Sequence, residues 1–145
     1  MQIHQDLDIH HYTIKGYGAG EVVVLVPLLA ELLDEKDAEG RPAKGLEQEA
    51  LTKSAIITAD HLIRNWPPQT IQDLTAAHIE TLAQLEPEIA LIGTGANLTW
   101  PERALLKPLM DAVIGFEIMD TAAACRTYNV LSYEGRKVAA ALMMI

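Results

Sequence analysis

The sequence predicts an α/β fold, a single domain over residues 1–145 that opens with a β-hairpin and closes with a βαβα unit. Three observations carry this reading. Tyr12 to Val26 alternates apolar and polar residues between glycines. From Ile89 onward, short apolar runs alternate with helical patterns. The chain has 145 residues, half of them apolar, enough to bury one core without disulfides or a structural metal.

In the first segment, Tyr12, Ile14 and Tyr17 recur near period two, and Gly16, Gly18 and Gly20 lead into the β-branched run Val22 to Val24. That pattern predicts two strands closing a hairpin. Pro27 stops the second strand and can open a helix, with Leu28, Leu29, Leu32 and Leu33 on one face and Glu31, Asp34 and Glu35 on the other. Asp37 to Gly45 reads as a polar loop, Leu46 to Leu51 as a second short amphipathic piece, and Ser54 to Ala59 as a buried strand. Residues 25–51 as a whole read as a peripheral insertion.

Beyond this point the pattern becomes regular. Trp66-Pro67-Pro68 forces an extended stretch, because proline disfavours the helical conformation in its predecessor. Thr75 caps a helix that runs to Leu85 with Leu74, His78, Leu82 and Leu85 on one face, and Pro87 ends it. Ile89 to Ile92 is short and wholly apolar, the mark of a central parallel strand. Pro101 to Val113 gives the next helix, which Pro108 either kinks or restarts. Phe116 to Met119 is a strand, and Asp120 or Thr121 caps an alanine-rich helix to about Leu131. Glu134 to Met144 reads as a last helix.

Composition narrows the function classes. No uncharged run approaches the roughly 18 residues that a membrane-spanning helix needs, so no membrane span is expected. The first residues carry His4, Asp6 and Asp8 where a secretory signal has basic and then apolar residues. A cytoplasmic location is therefore expected. Cys125 is the only cysteine, which excludes an intramolecular disulfide and any multi-cysteine metal site. The formal net charge of −9, with no basic cluster, argues against a nucleic-acid partner.

Strand, helix and strand from Ile89 to Met119 make a βαβ unit, whose strands run parallel. Their C-terminal ends then share one sheet edge, and if the strands are neighbours Gly93-Thr94-Gly95 meets Asp120-Thr121. Open α/β sheets bind ligands at such edges.

The run Met119-Asp120-Thr121-Ala122-Ala123-Ala124-Cys125-Arg126-Thr127-Tyr128-Asn129-Val130-Leu131, followed by Glu134-Gly135-Arg136 and Ala139-Ala140-Ala141-Leu142, resembles the signature of domain-of-unknown-function family 498. Ile92-Gly93-Thr94-Gly95 and Gly115 to Glu117 match other typical stretches of that family. The resemblance runs from about Thr52 to the end, with a weaker echo in Tyr12 to Val24, and the segment from Leu25 to Leu51 departs from it. It implies a three-layer fold in which a mixed central sheet carries helices and a small β element on its faces. The family is similar to the mitochondrial complex I assembly factor 3, which implies a protein partner and an assembly role. No catalytic residue follows from the resemblance.

Candidate chemistry centres on Gly93, Thr94, Gly95, Asp120, Thr121, Cys125 and Arg126. Gly93-Thr94-Gly95-Ala96-Asn97-Leu98 starts like a dinucleotide fingerprint, but Leu98 stands where a third small residue belongs and the helix begins near Pro101, too late to sit under a pyrophosphate. No cofactor is expected. Cys125 lies one turn inside a helix with Arg126 beside it, two features that lower a thiol pKa; among alanines, a packing role is the expectation. Arg126 and Arg136 serve either as structural ion pairs with acids such as Glu117 and Glu134, or, for Arg126, as a bidentate anion ligand. Glu117 interrupts an apolar strand and must face an edge or be paired. His4, His10 and His11 with Asp6 and Asp8 lack metal-ligand spacing, and no metal is expected. His78 reads as a satisfied core histidine.

Two functions follow. The first is a non-catalytic binding or assembly-type protein. The alternative is a small-anion-binding protein or enzyme that uses the strand-end cleft.

Overall fold

A computed structural model describes residues 11–27 and 46–145. The strands β1 (Thr13–Gly18), β2 (Glu21–Pro27) and β3 (Leu46–Leu51) form an antiparallel sheet in the order β1-β2-β3. The hairpin expected from Tyr12 to Val26 is β1 and β2. Leu46–Leu51 is a third strand paired with β2 along its whole length, from Val22↔Leu51 to Pro27↔Leu46. Its alternation of Glu47, Glu49 and Leu51 with Gln48 and Ala50 suits a strand because one neighbour holds its backbone, a partner that short-range pattern cannot reveal. The helix and loop expected between Leu28 and Gly45 lie outside the described residues, as do His4, Asp6, Asp8 and His10.

Five strands build the central sheet: β4 (Ala55–Ile57), β5 (Leu62–Ile63), β6 (Ile89–Thr94), β7 (Gly115–Met119) and β8 (Val138–Met143), in the order β5-β4-β8-β6-β7. It is mixed. β6 runs parallel to both β7 and β8, while β4 is antiparallel to β5 and β8. β6 and β7 are direct neighbours, from Ile89↔Gly115 to Gly93↔Met119, which fulfils the condition under which Gly93-Thr94-Gly95 meets Asp120-Thr121.

The reading of Glu134 to Met144 as a helix is overturned. Helix α3 (Thr121–Tyr133) instead extends past Leu131, and after a turn at Gly135 the chain enters β8, the middle strand of the sheet. Alanine favours helices, but only weakly, and burial overrides that preference. Every residue of β8 is buried, with Val138, Ala140 and Leu142 in one core and Ala139, Ala141 and Met143 in the other. A strand covered on both faces reads as a continuous apolar run.

These two cores define three layers. On one face of the central sheet lie helices α1 (Ala76–Ala83) and α2 (Lys107–Asp111), packed with Trp66, Ile79, Leu82, Leu109 and Ile92. On the other, α3 and the three-stranded sheet enclose Ile14, Val22, Val24, Leu91, Cys125 and Tyr128. Thr75 caps α1, accepting from the His78 N–H, and the His78 ring accepts in return from the Thr75 N–H at 3.1 Å. His78 is thus a partly buried capping residue, its ring 6.2 Å from that of Trp66 in an edge-on arrangement. Pro108 sits in the first turn of α2, which follows a 3-10 turn at Arg103–Leu106; the helix restarts there. No helix among the described residues is long and apolar enough to cross a membrane.

Candidate functional site

The strand-end edge is built around Thr121, which is fully buried. Its N–H donates to the Gly95 carbonyl at 2.9 Å, and its hydroxyl accepts from the Gly95 N–H at 2.8 Å. The same hydroxyl donates to the Met143 carbonyl at 2.6 Å. One side chain therefore ties together the end of β6, the start of α3 and the end of β8. This approach is close because Gly93 lacks a side chain: a Cβ there would stand 2.9 Å from Thr121 Oγ1 and 3.1 Å from both Thr121 Cα and Ala124 Cβ. At Gly95 the backbone takes a φ of +97°, a region that L side chains avoid.

Asp120 caps α3: its carboxylate accepts from the Ala123 N–H at 2.8 Å. The cap occupies the position where an anion would meet the partial positive charge of the first turn. Thr94 is also engaged, its hydroxyl donating to the Asn97 carbonyl at 2.6 Å and accepting from the Thr99 N–H at 3.1 Å.

Cys125 is 1% exposed. Burial pushes its thiol up to about 12, against the opposing pull of Arg126, so the sulfur stays protonated and weakly nucleophilic near neutral pH. Arg126 is exposed and turns to the hairpin, where it donates to the Tyr17 hydroxyl at 2.6 Å with its guanidinium 5.9 Å from the ring centroid. Arg136 pairs with Glu88 at 2.7 Å rather than with Glu117 or Glu134. Glu117 stands exposed on β7, an edge strand.

The seven candidate residues thus divide. Gly93, Gly95, Asp120 and Thr121 share the hydrogen-bonded junction, Cys125 lies one turn deeper, and Arg126 faces away toward Tyr17. Thr94 and Gly95 also line a hollow of about 290 Å³ with Gln69, Thr70, Asn97 and Met144, on a side that Asp120, Thr121, Cys125 and Arg126 do not reach.

Sequence reading missed Tyr128 and Asn129. The Tyr128 hydroxyl donates to the Tyr12 carbonyl at 2.9 Å. The Asn129 amide accepts from the Ile14 N–H at 3.0 Å and donates to the Ile14 carbonyl at 2.7 Å, standing in for a neighbouring strand where β1 departs from regular pairing between Ile14 and Gly16. The available signal was asparagine in a helix interior, which is unfavourable unless its amide finds work elsewhere.

A family model described as "Protein of unknown function (DUF498/DUF598)" matches residues 44–143. The human protein named NADH dehydrogenase (ubiquinone) 1 alpha subcomplex assembly factor 3 is 34% identical over 85 residues, which cover 57% of this chain and 46% of that protein. The chain thus spans about half the length of the curated relatives it matches. Among solved structures, a Bordetella parapertussis protein superposes with a TM-score of 0.71 at 29% identity, covering 92% of this chain and 95% of that one. A Bordetella pertussis protein described as an Mth938-like domain gives 0.70 at 25% identity, covering 99% and 92%.

Proposed function

The chain belongs to this family of proteins of unknown function, and from that premise we propose that it is a non-catalytic binding protein that serves the assembly of a multi-subunit protein complex. The observation that carries this reading is the strand-end junction, the place where an open α/β sheet binds its ligand. There the polar groups that chemistry would use are engaged internally, Asp120 by the Ala123 N–H and Thr121 by Gly95 and Met143, while Arg126 faces away from the junction and donates to the Tyr17 hydroxyl. The buried Cys125 thiol is held protonated. Similarity to a protein named as a respiratory-complex assembly factor supports the same reading. In it the partner is a protein, the chain acts as one domain in the cytoplasm, and residues 25–51 are a peripheral elaboration.

Two measurements test it together. Affinity-tagged full chain isolated from its native cells is expected to hold subunits of one larger complex in near-stoichiometric amounts. Titration with phosphate, a nucleotide or a dicarboxylate is expected to leave the amide resonances of Thr94, Gly95 and Thr121 in place. Saturable shifts at those three positions would replace the assembly reading with the anion-binding or enzymatic one.

A further inference from the structure

We infer that the groove between α1 and α2 docks a basic peptide segment of the partner protein, one that sets an apolar side chain between lysines or arginines. This rests on the protein-binding reading above and places it on a surface.

The groove has a volume of about 1050 Å³ and lies at the edge of the sheet opposite the strand-end junction. Its end is closed by Glu86-Pro87-Glu88, just before β6, and by Val113-Ile114, just before β7. Packed helices ordinarily fill the space between them with large side chains. Here Ala76 and Ala83 of α1 face Ala104, Pro108 and Ala112, and their short side chains leave the space open. Val113 stands at its rim 91% exposed. It holds a φ of +56°, a region that a β-branched residue enters at a cost, and in the free protein its methyl groups meet mainly water. An apolar side chain from a partner would cover both Val113 and the alanine floor.

Charge decides what kind of segment fits. The lining carries four carboxylates, Glu80, Glu86, Glu88 and Asp111, against one cation, Lys107. Lys107 is taken by Asp111 at 2.7 Å, and Glu88 by Arg136 at 2.7 Å. Glu80 and Glu86 have no ion pair among the described residues. Two uncompensated carboxylates therefore flank an apolar floor, on a chain whose net charge of −9 steers cationic partners inward and turns polyanions away.

The probe is a random-peptide library displayed on phage, selected against the full chain, with the enriched peptides then synthesised. The selected sequences are expected to carry two or more lysines or arginines around an apolar residue. Their amide shifts are expected to centre on Glu80, Gln84, Glu86 and Val113. Reversing both free charges, in Glu80→Lys/Glu86→Lys, is expected to weaken binding at least about tenfold at low salt, and less at high salt. Val113→Gly separates docking from folding: it relieves the left-handed backbone and so is expected to raise the thermal midpoint, yet weaken the peptide several-fold. A neutral or acidic consensus, or shifts centred on Trp100, an exposed aromatic outside the groove, or on β7, would overturn the proposal. In the native-cell isolation, a partner held equally by wild type and the charge-reversed variant overturns the groove and leaves the binding function standing. A wild type that holds no partner removes the assembly function, and the peptide shifts still decide the groove.

Discussion

Thr121 and Gly95 hold each other by two reciprocal hydrogen bonds, 2.9 Å from the threonine N–H to the glycine carbonyl and 2.8 Å from the glycine N–H to the threonine hydroxyl. The pairing locks the start of α3 to the end of β6 at a buried position. Thr121→Val keeps the shape and removes the hydroxyl, leaving the Gly95 N–H and the Met143 carbonyl without this partner. Denaturant unfolding should show a loss of about 2–4 kcal/mol, the cost of stranding two buried polar groups. Thr121→Ser, which keeps the hydroxyl, should lose clearly less.

Asp120→Ala removes the cap of α3 and should cost about 1 kcal/mol in the same measurement. It also frees the first-turn N–H groups. Phosphate should then shift the Ala122 and Ala123 amides in the variant while leaving wild type unmoved.

Cys125 should react slowly with a thiol reagent at neutral pH as long as the fold is intact, because burial keeps it protonated. The sign for stability follows. A folded-state value raised from 9.0 to about 12 means that the unfolded thiol ionises first, so this group's contribution is complete below about pH 9 and is lost as pH rises toward 12. Wild type compared with Cys125→Ala should show this difference, with a slope of about 1.4 kcal/mol per pH unit inside that window. Rapid labelling of folded protein near neutral pH would instead make the thiol a reactive group.

Arg64 donates two hydrogen bonds to Glu49, at 2.6 and 2.8 Å, and joins β3 to the segment after β5. This contact holds the Glu49 carboxyl below its usual value, with a smaller opposing effect from burial. The stability it adds is present above the ordinary carboxylate range and is lost as pH falls through the folded-state value. Arg64→Ala should return the Glu49 titration, followed by side-chain NMR, toward that ordinary range. The pair is partly exposed, so the change in stability should be small.

The pairing of Pro27 with Leu46 closes the sheet on both sides of residues 28–45. Replacing Asp37 to Gly45 with a short glycine-serine linker should therefore leave thermal unfolding cooperative and its midpoint nearly unmoved, since loop length costs little. Global unfolding would make the segment part of the core.

The hairpin, the caps of α1 and α3, and the parallel direction of β6 and β7 were legible because each depends on residues close in sequence: glycine between alternating residues, Thr75 or Asp120 before a helix, a crossover of fixed topology. The same reasoning put Gly93-Thr94-Gly95 and Asp120-Thr121 at one sheet edge, and the direct pairing of β6 with β7 brings them together. What the junction does there was not legible. Whether Thr121 faces solvent or the Met143 carbonyl depends on β8, a strand that short-range pattern reads as a helix.

The sequence by itself determined the α/β class, the order of most elements and the sheet edge that the ends of β6 and β7 share, because hydrophobic period, proline and capping side chains act over a few residues. Only tertiary structure decided that Val138–Met143 is the middle strand, that Arg126 answers Tyr17, and that Asn129 completes β1. Alanine's preference for helix is worth a fraction of a kcal/mol per residue, whereas burial between two cores and pairing with β4 and β6 act on the whole strand at once. Those partners lie far away in the chain, and a local pattern carries no record of them.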